Sequence, residues 1–185
     1  MDTLLEKQLE YIENLSEHHI HALRNYTGSG YEILNKKMRN EEPLSIEEKS
    51  LLKRLDEIFR EAPDVKEDLY LYRGIKEEFN PSLSSFMSCS LSEEIARDSD
   101  FSGYKGNSSV LRIKVSKGSK VLPLFNVSFA KYEKEILLDR YGKCEIISKG
   151  YDIFFSKKTY EVKYIPFSDL SKPLVVNFGP ITYNI

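Results

Sequence analysis

The sequence predicts an α+β fold, with helices first and a β core after them. Two observations carry this. Over residues 1–62, apolar side chains recur at helical spacing in stretches bounded by Gly and Pro. From residue 63 on, the chain turns to short runs rich in Tyr, Val, Ile and Phe, separated by Gly, Ser and Asn turns. Short strands with few helices between them point to antiparallel pairing. A chain of 185 residues suits one domain, taken here as 1–185, with 1–62 its helical part and 63–185 its β core.

The elements follow in order. Residues 3–25 read as one amphipathic helix, with Leu5, Leu9, Ile12 and Leu15 on a stripe. His18, His19 and His21 lie near its end, but no carboxylate or Cys in that segment completes a metal-ligand set, and no metal is expected. Residues 26–31, Tyr-Thr-Gly-Ser-Gly-Tyr, read as a loop; without a following Lys-Ser/Thr the glycines make no phosphate loop. A second helix follows over 31–39. Pro43 breaks it, and Ser45 with Glu48 forms a capping box that opens a third, carrying Leu51, Leu52, Leu55, Ile58 and Phe59. Strands are expected at 68–75, 85–90, 110–115, 121–125, 132–138, 143–147 and 159–165, with a short helix after Ser92 and a last strand through 174–176.

Bulk numbers exclude some functions. The formal net charge is −2, from 27 basic and 29 acidic residues, so no basic nucleic-acid surface is implied. Two cysteines, Cys89 and Cys144, make no disulfide framework and suit a reducing compartment. The first residues lack a basic segment followed by an apolar one, so no signal peptide is expected. No apolar run approaches the ~20 residues of a membrane span, and no membrane partner is expected.

Three short patterns carry chemistry: Leu71-Tyr72-Arg73-Gly74, Ser88-Cys89-Ser90 and Glu133-Lys134-Glu135. Side chains two apart leave one face of a strand. Ser88 and Ser90 then share a face, with Cys89 turned away. Read as a strand start, the last pattern puts Glu133 and Glu135 side by side, with Tyr132 and Lys134 opposite. Such a pair repels, each carboxylate raising the pKa of the other. A fold that keeps it usually has a cation to place there, or one that forms during a reaction. Arg73 offers a fork that matches phosphate. Gly74 lets a ligand approach the backbone.

The order of these patterns resembles the mono-ADP-ribosyltransferases of the arginine/serine-threonine-serine/glutamate class, which includes bacterial actin-modifying toxins and phage enzymes. Tyr26-Thr27 followed by Tyr31 and Ile33-Leu34-Asn35 is similar to the Tyr…Tyr…Ile-Asn pattern ahead of the first strand in those toxins. The resemblance runs from about residue 20 to 165. It implies two packed antiparallel sheets enclosing an NAD cleft. It also implies an enzyme that breaks the nicotinamide–ribose bond and moves ADP-ribose to a target. Arg73 would anchor the diphosphate of NAD, and Gly74 would approach the nicotinamide amide. Ser88 would hold Glu135, and Glu135 would stabilise the ribosyl cation. Glu133 would orient and deprotonate an arginine acceptor on a host-cell protein. Phe129 and Tyr132 would contact that target. Phe101, or less favourably Tyr104, would stack on nicotinamide, and Tyr31 and Asn35 would touch the adenine side or the phosphates. Cys89 stands where the family usually has Thr. A monomer is expected, acting in the cytoplasm or in the cytosol of a host cell. NAD hydrolysis, transfer to a non-protein acceptor and an inactive NAD-binding module remain the alternatives.

Overall fold

The computed structural model describes residues 3–75, 79, 81, 85–97, 109–129, 131–153 and 157–166. Its helices are α1 (Glu6–Glu13), α2 (Glu17–Asn25), α3 (Tyr31–Arg39), α4 (Ile46–Glu61) and α5 (Glu93–Arg97). Its strands are β1 (Leu69–Ile75), β2 (Met87–Ser90), β3 (Ser109–Val115), β4 (Val121–Pro123), β5 (Glu135–Leu138), β6 (Lys143–Asp152) and β7 (Lys157–Ile165).

The predicted first helix is in fact two. Ser16 adopts extended backbone and its hydroxyl accepts the His19 N–H, which caps α2 and ends the run from α1. The predicted loop at 26–30 is instead a π-helical turn that joins α2 to α3 without leaving helical backbone. It works because residue 30 is Gly: a Cβ there would sit 2.9 Å from the Asn25 carbonyl oxygen. The capping box of α4 is present in both directions, with Glu48 Oε2 accepting the Ser45 N–H at 2.7 Å. Lys37 of α3 also reaches Glu48, at 2.8 Å, tying α3 to the start of α4.

The strands run in the order β4-β5-β2-β1-β3-β7-β6. The expectation of two antiparallel sheets needs correcting on two points. First, β7 returns from its hairpin with β6 to lie parallel to β3, so the sheet is mixed. Second, the described strands form one continuous hydrogen-bonded sheet. Its two parts are nonetheless distinct. The β4-β5-β2 part meets the β1-β3-β7-β6 part through a single register pair, Tyr72 opposite Ser90. Inward rows from both parts share one core: Leu71, Leu111, Ile113 and Val162 pack with Cys89, Ile136 and Leu138. A flat sheet could not bring those rows together, so the sheet folds over at the β1–β2 seam. Full burial of each such side chain is worth about 1.5–3 kcal/mol.

The helices cover the outer face of the β4-β5-β2 part. Leu23, Tyr26, Leu34, Leu55, Ile58 and Phe59 pack on Phe86, Leu122 and Leu137. Phe86 is the hub, stacked on Phe59 at 5.6 Å and edge-on to Tyr26 at 5.5 Å. No described helix is long and apolar enough to cross a membrane. The strand expected at 174–176 lies outside the described residues.

Candidate active site

The site forms at the seam. Arg73 stands in the inward row of Leu69, Leu71 and Ile75, so a guanidinium interrupts an apolar row where the two parts of the sheet meet. Nη1 of Arg73 donates to the Ser88 carbonyl, stapling β1 to β2 beside their one register pair. A guanidinium has five N–H donors, and this bond uses one of them.

On β2, Ser88 and Ser90 share a face and Cys89 points into the core, as strand alternation dictates. Ser90 lies opposite Glu135 in register but does not serve its carboxylate. Its hydroxyl donates to the Glu133 carbonyl at 2.7 Å and accepts the Ser92 N–H at 3.0 Å, so it fixes the turn before β5. Ser88 is the one that reaches the Glu135 carboxylate.

Behind Ser88 lies a buried relay. Asn35 Nδ2 donates to the Tyr26 hydroxyl at 3.0 Å, and Tyr26 is hydrogen-bonded in turn to Ser88. An amide nitrogen only donates, so the Tyr26 oxygen accepts from Asn35, and Ser88 lies between that phenol and the Glu135 carboxyl, favouring the anion of each. Tyr26 is fully buried, and burial raises its phenol pKa. Asn35 Oδ1 is buried with no partner among the described residues, a place for an N–H donor on a ligand.

Glu135 is 7% exposed. Burial pushes its carboxyl above the ordinary range, against the hydroxyls of Ser88 and Ser128 and the positive charge of Arg73, which favour the anion. Glu133 does not stand on the strand, and the same-face expectation is corrected here. It ends a 3₁₀ turn over Lys131–Glu133, and Lys134 follows at φ 48°, in the left-handed region, before β5 begins at Glu135. The Ser90 bond to the Glu133 carbonyl and the Leu91 N–H bond to the Lys134 carbonyl hold this kink. The two carboxyls still interact: burial first, then Glu135, raises the Glu133 pKa, while a bond from Tyr132 lowers it. Tyr31 also lies near the pair; its phenol is pushed up by burial and by Glu32, and more weakly by Glu133 and Glu135.

Phe129 and Tyr132 are 79% and 73% exposed on the loop before β5. The Phe129 ring lies over Gly28, 3.6 Å from where a Cβ would be. Gly74 is buried in β1 opposite Val110. Phe101 and Tyr104 lie outside the described residues. Burial lifts the Cys89 thiol to about 12, so it is no nucleophile. His19 lies 3.6 Å from Glu57 of α4. Among the described residues no cluster of three or more His, Cys, Asp or Glu could hold a metal.

Arg73, Ser88, Glu133, Glu135, Asn35 and Tyr31 are thus brought to one region. Sequence reasoning gave Tyr26 a place in the Tyr…Tyr…Ile-Asn pattern but no role in the site, and it missed Ser128. Tyr26 follows Leu23 at helical spacing, a signal that the adjoining Thr-Gly-Ser-Gly obscured. Ser128 carries no signal in the sequence; its role depends on a turn.

The profile of the ADP-ribosyltransferase exoenzyme family matches residues 5–85 and 82–165. Three solved structures share the fold. Plx2a, an ADP-ribosyltransferase toxin from Paenibacillus larvae, is 15% identical with a TM-score of 0.72, over 88% of this chain and 92% of that one. Exoenzyme S from Pseudomonas aeruginosa, solved with human 14-3-3 protein beta and bound to Carba-NAD, is 17% identical with a TM-score of 0.69, over 88% and 82%. The enzymatic component C2-I of the Clostridium botulinum C2-toxin is 19% identical with a TM-score of 0.70, over 89% of this chain and 46% of that one. No curated protein sequence matches.

Proposed function

Since the chain belongs to the ADP-ribosyltransferase exoenzyme family, which moves ADP-ribose from NAD, we propose that it modifies an arginine side chain of a host-cell protein and releases nicotinamide. The observation that carries this reading is the Glu135 carboxylate: buried, held through Ser88, and coupled to a second carboxylate at the edge of an exposed aromatic loop.

Arg73 pairs with the diphosphate of NAD through guanidinium N–H groups beyond the one given to Ser88. Asn35 Oδ1 accepts an N–H of the same molecule. The bond between nicotinamide nitrogen and ribose breaks heterolytically. Its electron pair leaves with nicotinamide, which becomes neutral, and the positive charge passes to the ribose. Glu135 stands beside that cation, which exists only near the transition state, so the attraction lowers the barrier rather than merely tightening binding. Arginine then attacks the ribose carbon through a guanidinium nitrogen, and Glu133 takes the proton released. A carboxylate whose pKa is raised is a better base for that step. Phe129 and Tyr132 offer the target an apolar surface beside Glu133.

The test is labelling of a host-cell lysate with tagged NAD, followed by mass spectrometry of the modified site, with Glu135→Ala as control. Label on arginine, absent from the control, is expected. Label confined to another residue type, or fast nicotinamide release from NAD alone with no labelled protein, overturns the arginine-transferase reading. The second of those results identifies a glycohydrolase.

A further inference from the structure

We propose that Ser128 is a second positioning residue for Glu135, one that couples the carboxylate to the exposed loop displaying Phe129. The proposal rests on the reading of Glu135 as the carboxylate beside the ribosyl cation. The geometry is a closed ring. The Leu124 N–H donates to the Glu135 carbonyl at 2.8 Å. The Leu124 carbonyl accepts the N–H groups of Val127 at 3.0 Å and Ser128 at 2.8 Å, forming a tight turn. The Ser128 hydroxyl, buried within that turn, favours the Glu135 anion and so completes the ring on its side chain. Glu135 is therefore tied to this turn by both backbone and carboxylate.

Burial changes abruptly along the turn. Ser128 is 4% exposed and Phe129, the next residue, is 79% exposed. A macromolecule that presses on Phe129 displaces a backbone whose adjoining hydroxyl holds the carboxylate. Ser88 acts on the same carboxylate from a different element, β2, which connects it to Tyr26 and Asn35. One hydroxyl thus links Glu135 to the helical side of the site, and the other links it to the loop. Two donors from independent elements leave the carboxylate less rotational freedom than one does.

The charged and titratable groups around Glu135 are Arg73, Glu133, Tyr26 and Tyr31, with Cys89 on the far side of β2. Replacing Ser128 leaves these in place and removes one hydrogen bond to the anion. The turn itself is built from backbone bonds, so Ser128→Ala keeps it.

The experiment compares wild type, Ser128→Ala and Ser128→Thr, each checked for an unchanged melting temperature. Two readouts are taken: the pH profile of nicotinamide release from NAD, and the titration of the Glu135 carboxyl by carbon-13 NMR, assigned with Glu135→Gln. In Ser128→Ala, kcat falls about 10-fold with little change in KM, as expected for loss of one hydrogen bond to a charged group. The acid limb of the profile and the NMR titration both move to higher pH, and Ser128→Thr brings both back. An Ala variant that titrates like wild type, or a Thr variant that behaves like Ala, overturns the proposal. A wild type without turnover defeats the enzymatic reading alone, because the NMR titration still reports whether Ser128 holds Glu135.

Discussion

Glu133 and Glu135 are two residues apart, yet they belong to different pieces of structure, and this separates their expected effects. Glu135 opens β5 and is fixed by Ser88 and Ser128; Glu133, itself half-buried, closes an exposed turn at the rim. Glu133→Gln keeps the shape but removes the base, so transfer to arginine is abolished while much of the NAD hydrolysis survives. Glu135→Gln loses both, because the cation has lost its counter-charge. Parallel assays of ADP-ribosylated product and free nicotinamide check this, and equal losses of both activities in the two variants would refute the split. Tyr26 gives a second prediction. Tyr26→Phe removes the bridge between Asn35 and Ser88, leaving the Asn35 amide without its acceptor in a buried site. Stability falls by about 1–3 kcal/mol, the cost of an unsatisfied buried donor. Nicotinamide release slows by roughly 10-fold as the orientation of Ser88 relaxes, a change in kcat that denaturant unfolding and steady-state kinetics separate.

Among the elements, the parts set by local pattern were legible in the sequence and the parts set by tertiary contact were not. The capping box at Ser45, the stripe of α4 and the alternation of Ser88-Cys89-Ser90 follow from spacing alone, and they stand in the structure. The break at Ser16 is a choice between two local hydrogen bonds, which an apolar stripe running through it hides. The π-helical turn at 26–30 depends on Gly30 passing close to Asn25, and its glycines read as a loop because glycine usually marks one. Glu133 left the expected strand because Ser90, 43 residues earlier, takes its carbonyl. The parallel insertion of β7 is a pairing choice that strand composition does not encode. The same logic makes a prediction at the corner between β5 and β6. A Cβ on Gly142 would lie 2.2 Å from the ring of Tyr164, which is itself sealed in the core of β7. Neither side can yield, so Gly142→Ala costs about 3 kcal/mol. The melting temperature then drops by roughly 10 °C, measurable by calorimetry. An unchanged melting temperature would mean that the corner is looser than its packing indicates.

For the molecule as a whole, the apolar junction of helices and sheet is flanked by an ionic contact, and a carboxyl beside that contact carries a pH dependence. Arg140, just past β5, makes a two-pronged contact with Asp56 of α4 at 2.9 and 2.8 Å. Asp139 sits beside it, and burial pushes its carboxyl up to about 6, with Asp56 adding repulsion and the Tyr141 N–H and Arg140 opposing. The unfolded carboxyl titrates near 3.8. Between these values the folded chain binds the proton more tightly than the unfolded chain does. Folding is therefore favoured by Asp139 below about pH 4, and that contribution is lost as pH rises through about 6. The full difference corresponds to about 3 kcal/mol, and water at this half-buried carboxyl reduces it. Asn in place of Asp keeps an oxygen to accept the Tyr141 N–H, a bond of 3.4 Å, and cannot ionise. Asp139→Asn should then be more stable than wild type at pH 7, by about 1–2 kcal/mol after that reduction. It should equal or fall below wild type at pH 4. Urea unfolding at the two pH values decides the matter, and a variant whose advantage is the same at both would show that folding does not raise the Asp139 pKa.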